Sequence, residues 1–402
     1  MRIMKWVLVV VAGVLWVGTS AVGQVSTAEA QGVNYEILAQ KLVTQCAGIQ
    51  EGDLVRISGG IRDFELLEDL AVHVRKLGAF PLITLSSDRM TRRMYDDVPE
   101  VYDVQTPDFE VKLASTVNAR IHVDFSESEA VLSGISAERI VAVNHANAPA
   151  WDLMLKRKVR QVYLGNDLYP TAERAKLFGV SQDDLARVFW DGVNVDYTQL
   201  QKTGEVLKAA LSGAVEVHIT HPDGTDLKAQ IKAQRIFVSD GVVSPDDMLQ
   251  GNAGCLVWLP AGEVYLAPIP ETVEGRVVMD RQLFQGEEIR GLELEFKAGK
   301  LVSMKAKSGL KTLQEIYAAQ GPGKDVFSVI DIGINPNVHI IPGSSMVAWM
   351  AAGTVTVGIG DNTWAGGANN SPFEFYNHLI GATLKADGKV IVAGGKLALG
   401  TP

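Results

Sequence analysis

Residues 54–87 read LVRISGGIRDFELLEDLAVHVRKLGAFPLITLSS and contain the pattern of a strand, a helix and a second strand. The first strand is LVRISGG (54–60), a mostly apolar run that ends in glycines. Apolar residues then recur at helical spacing through FELLEDLAVHVRKLGA (64–79), and the second strand is PLITLSS (81–87). Two strands joined by a helix within about thirty residues form a βαβ unit. The stretch therefore predicts a parallel sheet.

The same alternation continues through the first half of the chain. Further strands are predicted in ARIHVDF (119–125) and RIVAVN (139–144), the latter followed by His145. Helices are predicted in WDLMLKRKV (151–159) and in residues 172–189. We therefore assign residues 31–212 to an α/β N-terminal domain with a parallel sheet.

Hairpins replace this alternation after residue 212. AVEVHITHPDGTDLKAQI (214–231) contains two alternating strands around a Pro-Asp-Gly turn. Similar pairs of strands occur in residues 287–306 and 382–396, with turns at Ala-Gly and Asp-Gly. The pattern predicts an α+β C-terminal domain, residues 213–402, that is rich in antiparallel sheet.

Composition excludes some classes of protein. The 402 residues are 47% hydrophobic and carry a formal net charge of -10, so the chain can bury a large core. No basic stripe of the kind that binds nucleic acid is present, and nucleic acid is not an expected partner.

The N-terminus has the layout of a secretory signal peptide. A short basic head ending at Lys5 precedes an apolar run from Trp6 to Gly18, and small residues follow where cleavage would occur. The alternative is a membrane anchor, because the run is only a little shorter than the roughly 20 residues of a spanning helix. We expect residues 1–30 to be a signal peptide and the mature protein to be exported, to the periplasm or outside the cell.

Common catalytic motifs are absent from the sequence. The two cysteines, Cys46 and Cys255, are far apart and form no Cys-x-x-Cys pair; two separate buried thiols are expected, with one disulfide as the alternative. His218 and His221 have His-x-x-His spacing, which on a strand directs the rings to opposite faces. The sequence also lacks the Gly-x-Ser-x-Gly elbow of a serine hydrolase.

Two stretches of the second half have the composition of a functional site. The first is LPAGEVYLAP (259–268), in which Glu263 stands alone among apolar residues and is costly to bury unless it is paired or on a metal. The second is GTVTVGIGDNTWAGGANNS (353–371), a strand that leads into a glycine-rich loop. This loop has no histidine or cysteine, and Asp361 is its only ionisable residue.

The chain resembles the aminopeptidase T family of metallopeptidases, also called the thermophilic aminopeptidases. The resemblance is carried by LPAGEVYLAPIPETVEG (259–275) and by further stretches in the same order: EGDLVRISGG, YPTAERAKLFGVSQDDL, HPDGTDLKAQI, GLELEFKAGKLV, DIGINPNV and GTVTVGIGDN. It covers nearly the whole mature chain. It implies a two-metal site in the second domain that removes N-terminal residues from peptides.

The resemblance also implies which positions correspond to the family's metal ligands. The first glutamate falls on Glu263, and the second falls on Asp331, which is one methylene shorter. The histidine of a Gly-Thr-Val-His pattern falls on Thr356. A tyrosine about seven residues later meets Thr363 or Trp364.

The family's His-x-Asp pair has no counterpart in either of two alignments. Anchored on Ile380-Gly-Ala, the pair falls on Phe375 and Asn377; anchored on Ser371, it falls on Glu374 and Tyr376. The dinuclear site therefore looks degenerate, and whether this chain is an enzyme stays open.

A single divalent ion is the remaining metal hypothesis. Glu263 and Asp331 would hold it, with a third ligand from Glu374, Asp361 or His378, and oxygen-rich ligands would favour calcium, magnesium or manganese over zinc. Without a second ion, activation of water for amide hydrolysis would be weak.

Three functions follow from these positions. The leading one is a non-catalytic or weakly active protein that binds a peptide or a small molecule, in a cleft formed by Asp361, Trp364, Phe373, Glu374, Phe375, Tyr376 and His378. The second is an aminopeptidase or other hydrolase with a rearranged mono-metal centre. The third is a ring-opening enzyme with mononuclear iron, although its two histidines and aspartate are also missing. The family's habit of pairing implies a homodimer.

Overall fold

The computed structural model describes residues 33–128 and 130–398, apart from the side chains of residues 252 and 253. The signal peptide predicted for residues 1–30 lies outside this range. Among the described helices, none combines the length and the apolar character needed to cross a membrane.

Strands and helices alternate first and strands dominate later. The strands are β1 (Leu54–Gly60), β2 (Phe80–Ser86), β3 (Ala119–Val123), β4 (Arg160–Leu164), β5 (Glu216–Thr220), β6 (Asp226–Gln230), β7 (Phe237–Ser239), β8 (Leu256–Leu259), β9 (Glu263–Leu266), β10 (Glu274–Phe284), β11 (Glu287–Lys297), β12 (Lys300–Lys305), β13 (Phe327–Gly333), β14 (Val355–Gly360), β15 (Glu374–Leu379), β16 (Thr383–Ala386), β17 (Lys389–Ala393) and β18 (Lys396–Leu397). The α-helices are α1 (Tyr35–Lys41), α2 (Phe64–Lys76), α3 (Asp88–Asp96), α4 (Asp108–Thr116), α5 (Ala137–Lys156), α6 (Ala172–Phe178), α7 (Gln182–Val193), α8 (Tyr197–Ser212), α9 (Pro245–Gln250) and α10 (Lys311–Ala319).

A five-stranded parallel sheet forms the first part of the fold. Its order is β2-β1-β3-β4-β8, and each neighbouring pair is parallel. Helix α2 connects β1 to β2 and buries Leu66, Leu70 and Val74, which recur at the helical period. The βαβ unit predicted from residues 54–87 is confirmed.

The strand predicted for residues 139–144 is wrong. These residues lie inside α5, whose N-cap Ser136 accepts a hydrogen bond from the backbone N–H of Arg139 at 3.4 Å. The β-branched Ile140 and Val141 suggest a strand locally, but they are buried on one side of the helix, and packing overrides that propensity. His145 therefore lies within a helix. The strand of this region is β4, which the sequence did not reveal.

Strand β8 returns the chain to the first sheet. Helix α8 ends at Ser212, at the predicted boundary, but Gln161–Leu164 of β4 pair with Leu256–Leu259 of β8. The apolar run before Pro260 thus extends the parallel sheet. The division into residues 31–212 and 213–402 stays a prediction.

Two antiparallel sheets form the rest of the fold. The larger has eight strands in the order β12-β11-β10-β6-β5-β16-β17-β18 and contains the three predicted hairpins. The smaller has the order β15-β14-β13-β9-β7. An α/β first half with a parallel sheet and a second half rich in antiparallel sheet are both confirmed. Cys46 and Cys255 are buried free thiols.

Candidate functional site

One face of the smaller antiparallel sheet carries most of the residues singled out in the sequence. Directly opposed residues in antiparallel strands project to the same face. A row of such residues crosses all five strands: Phe237, Tyr265, Asp331, Thr356 and His378. Glu263 precedes Tyr265 by two residues and therefore shares this face. The fold thus brings Glu263, Asp331, Thr356 and His378 together.

The segment before β9 fixes the position of Glu263. Gly262 has φ +129, and a Cβ there would lie 2.7 Å from the Cβ of Asn335, so only glycine fits. Glu263 is 4% exposed, and its Oε1 accepts a hydrogen bond from Asn166 Nδ2 at 3.1 Å. Asn166 Oδ1 in turn accepts one from Trp349 Nε1 at 2.8 Å. The carboxyl group is therefore held by an amide that is itself anchored.

Glu263 and Asp331 form a buried pair of acids. Burial raises the pKa of Glu263 to about 8. Burial, followed by repulsion from Glu263, also raises the pKa of Asp331 well above its ordinary value. Asp331 is 5% exposed, and its Oδ1 has no hydrogen-bond partner among the described residues. The pair retains protons to higher pH than exposed carboxyl groups do.

The side chains of Thr356 and His378 form a hydrogen bond with each other. The distance from Thr356 Oγ1 to His378 Nδ1 is 2.9 Å. The His378 ring meets Trp349 edge-on, with centroids 5.4 Å apart. Burial lowers the pKa of His378 to about 4, so the imidazole is neutral at pH 7. Thr356 therefore engages the imidazole of His378 on this face.

Alternation along β15 separates the residues of the two alignments. Glu374, Tyr376 and His378 share the face with Thr356, Gly358 and Gly360, their partners on β14. Phe375 and Asn377 project to the opposite face, where Phe375 packs on Phe284 with ring centroids 5.7 Å apart. The alignment anchored on Ser371 is the one whose residues lie at the site.

Hydrogen bonds within the glycine-rich loop after β14 hold it in shape and present Trp364. Asn362 donates its N–H to the carbonyl of Asn369 at 3.0 Å, and its Oδ1 accepts from the Asn369 N–H at 2.8 Å. Thr363 Oγ1 lies 3.0 Å from both carboxylate oxygens of Asp361. Phe373, expected in the cleft, instead packs on Tyr317.

A cavity of about 270 Å³ lies between this face and the parallel sheet. Four of the five tryptophans in the described residues line it. The lining consists of Trp151, Tyr163, Trp258, Glu263, Tyr265, Val329, Asp331, Trp349, Thr356, Trp364, Glu374 and Tyr376. A second cavity of about 260 Å³ adjoins it and shares Trp349, Glu374 and Tyr376. Four of these residues, Trp151, Tyr163, Trp258 and Trp349, were not predicted from the sequence.

Aromatic rings form a continuous wall around the cavity. Trp364 is central to it, with centroid distances of 5.8 Å to Trp258, 5.2 Å to Tyr265 and 6.3 Å to Tyr376. Tyr376 also lies 5.5 Å from Trp349. The wall joins rings from both parts of the fold, since Trp258 belongs to the parallel sheet.

The donors on this face do not fit a pair of divalent ions. Two ions about 3.5–4 Å apart need several anionic ligands to offset their repulsion. Glu374 lies four residues along β15 from His378, which is about 13 Å at roughly 3.3 Å per residue. Within residues 33–128 and 130–398, no group of three His, Cys, Asp or Glu side chains is arranged to hold a metal.

Comparison with known proteins gives consistent relatives. The chain is 24% identical over 319 residues to aminopeptidase PepS of Streptococcus thermophilus, covering 70% of this chain and 72% of PepS. It is 24% identical over 305 residues to aminopeptidase AmpS of Bacillus subtilis, covering 69% and 72%.

Solved structures share the fold. AmpT from Thermus thermophilus superposes with a TM-score of 0.70 at 17% identity, covering 91% of this chain and 99% of AmpT. The 2,5-dihydroxypyridine dioxygenase from Pseudomonas putida KT2440 superposes with a TM-score of 0.57 at 13% identity, covering 91% of this chain and 97% of the dioxygenase.

The profile of the thermophilic metalloprotease (M29) family matches residues 33–323, more than half of the chain. The match includes Glu263 and ends before β13, β14 and β15, which carry the other positions of the site. This chain belongs to the thermophilic metalloprotease (M29) family.

Proposed function

We propose that this protein is an exported M29-family member that binds a peptide or a small molecule and has lost most or all of the family's two-metal peptidase activity. The observation that carries the proposal is the set of side chains on the site face. At the family's ligand positions the chain keeps Glu263 and has Asp331 and Thr356, with Glu374 and Tyr376 on β15.

The remaining polar groups support this assignment because many are already engaged. Thr356 is bonded to His378, and both carboxylate oxygens of Asp361 accept from Thr363. Thr363 or Trp364 stands where the family pattern has a tyrosine. A neutral hydroxyl is a poor zinc ligand, so Thr356 does not replace an imidazole. Glu263 and Asp331 together provide too little charge for two cations, because the third carboxyl group, Glu374, lies at the far end of β15 from His378 and the imidazole is neutral.

The cavity supports a binding role. Its walls are mostly aromatic, and its volume of about 270 Å³ suits a small ligand or the end of a peptide. Export rests on the sequence of residues 1–30 alone, and N-terminal sequencing of the protein from its host would test it.

The test measures metal content and hydrolysis on one preparation. The mature protein is purified without added metal, its metals are counted by plasma mass spectrometry, and cleavage of leucyl-p-nitroanilide is followed with and without chelator. We expect less than one ion per chain and at most marginal hydrolysis. Two tightly bound ions with chelator-sensitive activity equal to that of an active relative would contradict the proposal.

A rearranged mono-metal hydrolase gives a different result. One stoichiometric ion and chelator-sensitive cleavage would support it, with Glu263, Asp331 and His378 or Glu374 as ligands. The matched control is Glu263→Gln. This variant would abolish activity that belongs to the site and would leave activity from a contaminating peptidase unchanged.

A further inference from the structure

We infer that the ligand of this cavity is an organic ammonium ion that carries at least one N–H and an apolar body. The inference rests on the proposed function, because it assigns a ligand class to the same cavity. It is carried by the charge of the lining, the geometry of the rings and one unpartnered oxygen.

The charge of the lining is one-sided. Three carboxyl groups face the cavity, on Glu263, Asp331 and Glu374, and no lysine or arginine is among the lining residues. The adjoining cavity also has no lysine or arginine among its lining residues, and it adds Asp167. An anionic ligand would find no lysine or arginine to pair with, whereas a cationic ligand would stabilise the ionised form of the two buried acids, Glu263 and Asp331.

The rings add a second attraction for a cation. A cation within about 6 Å of an aromatic centroid is attracted by the ring quadrupole, most strongly by tryptophan. Trp364 lies 5.8 Å from Trp258 and 5.2 Å from Tyr265, so a group placed among these rings contacts more than one of them. Aromatic walls also give an apolar ligand body a dry surface.

Asp331 Oδ1 specifies a donor. It is the unpartnered oxygen of a side chain that is 95% buried and lines the cavity. A bound cation favours the ionised form of Asp331, and a carboxylate accepts hydrogen bonds and cannot donate them, so its partner must be an N–H or O–H group. Because a charged donor gives the stronger bond, a protonated amine suits this position better than an alcohol or a quaternary ammonium.

The test compares four matched ligands on the wild-type protein by isothermal titration calorimetry at one pH and salt concentration. They are 2-phenylethylamine, the N,N,N-trimethyl derivative of this amine, 2-phenylethanol and 3-phenylpropionate. We expect the amine to bind about tenfold or more tightly than the alcohol and the quaternary ion, and the carboxylate not to bind. Equal affinities for the amine and the alcohol, or a dissociation constant for the amine above about 1 mM, would overturn the inference.

Variants locate the effect. Asp331→Asn should weaken the amine about tenfold to a hundredfold and leave the alcohol nearly unchanged. Trp364→Leu should weaken the amine about threefold to thirtyfold. The control is Asp240→Asn, a buried carboxyl outside the cavity lining, which should not alter binding. Unchanged amine affinity in a folded Asp331→Asn variant would overturn the role of Asp331.

The two proposals fail in different ways. Two bound metal ions with full peptidase activity would overturn the proposed function, independently of the measured amine affinity. A metal-free, inactive protein that binds the alcohol or the carboxylate as well as the amine would overturn only the ligand assignment.

Discussion

The carboxyl group of Glu263 makes stability depend on pH above neutrality. Its pKa rises from an ordinary 4.5 to about 8 because it is buried. The folded state therefore holds a proton that the unfolded state has released, and stability falls as pH rises from 4.5 to 8. Between pH 6.5 and 8 this amounts to about 2 kcal/mol, at roughly 1.4 kcal/mol per pH unit.

We expect Glu263→Gln to remove most of this loss. Glutamine keeps an oxygen that accepts from Asn166 and has no charge to desolvate, so urea unfolding in chelator should show a smaller loss of stability between pH 6.5 and 8 than in the wild type. The loss that remains comes from Asp331, whose pKa is also raised by burial. Exposed Glu295 is the control, and Glu295→Gln should keep the wild-type decline. A flat wild-type profile would contradict this account of Glu263.

At the level of single elements, β14 and β15 form the part of the site that depends most on exact packing. Gly358 lies opposite Tyr376, and a Cβ there would lie 2.6 Å from the Tyr376 ring and 2.7 Å from Ser328 Oγ. Gly358→Ala should therefore destabilise by about 1–3 kcal/mol and displace the ring. The control is Gly213→Ala, whose Cβ would meet nothing within 4 Å.

Denaturant unfolding and amine affinity together check this change. We expect Gly358→Ala to lose both stability and amine binding. For Gly213→Ala, we expect the free energy of unfolding to change by no more than about 0.5 kcal/mol. A stable Gly358→Ala variant with normal binding would show that Tyr376 does not need its present position.

The same two strands show how far sequence can define this site. Glu263 and Asp331 follow from their local motifs, and the hairpins follow from their turns. On β15 a shift of one residue exchanges Phe375 and Asn377 for Glu374 and Tyr376, because alternate residues face opposite sides. Packing, which sequence pattern does not contain, decides the register.

The tryptophans of the cavity also could not be predicted from sequence pattern, because they come from distant segments. Trp151 lies on α5, Trp258 on β8 and Trp349 on the segment before β14. Nothing local marks them as cavity residues, since an isolated tryptophan is more often part of the core. They meet only because β8 joins the parallel sheet and leads directly to β9. The cluster is thus a property of the tertiary fold.

At the scale of the whole molecule, Asn335 fastens the two parts that enclose the cavity. It is fully buried, and its Nδ2 donates to Gly192 O at 3.1 Å and to Ala261 O at 2.6 Å. Gly192 belongs to α7, and Ala261 lies in the crossover between β8 and β9. The side chain therefore links a helix of the first part to the segment that positions Glu263.

We expect Asn335→Ala to destabilise the protein by about 2–4 kcal/mol, because both carbonyls lose a donor in a site that is closed to water. Weaker amine binding should accompany this, since the segment before Glu263 loses an anchor. Neighbouring Asn337 is the matched control: it is exposed and donates to Asp191 O at 3.1 Å. Asn337→Ala should change stability by less than about 1 kcal/mol. If urea unfolding gives both variants the same small loss, the buried amide does not hold the two parts together, and the cavity must depend on ring packing alone.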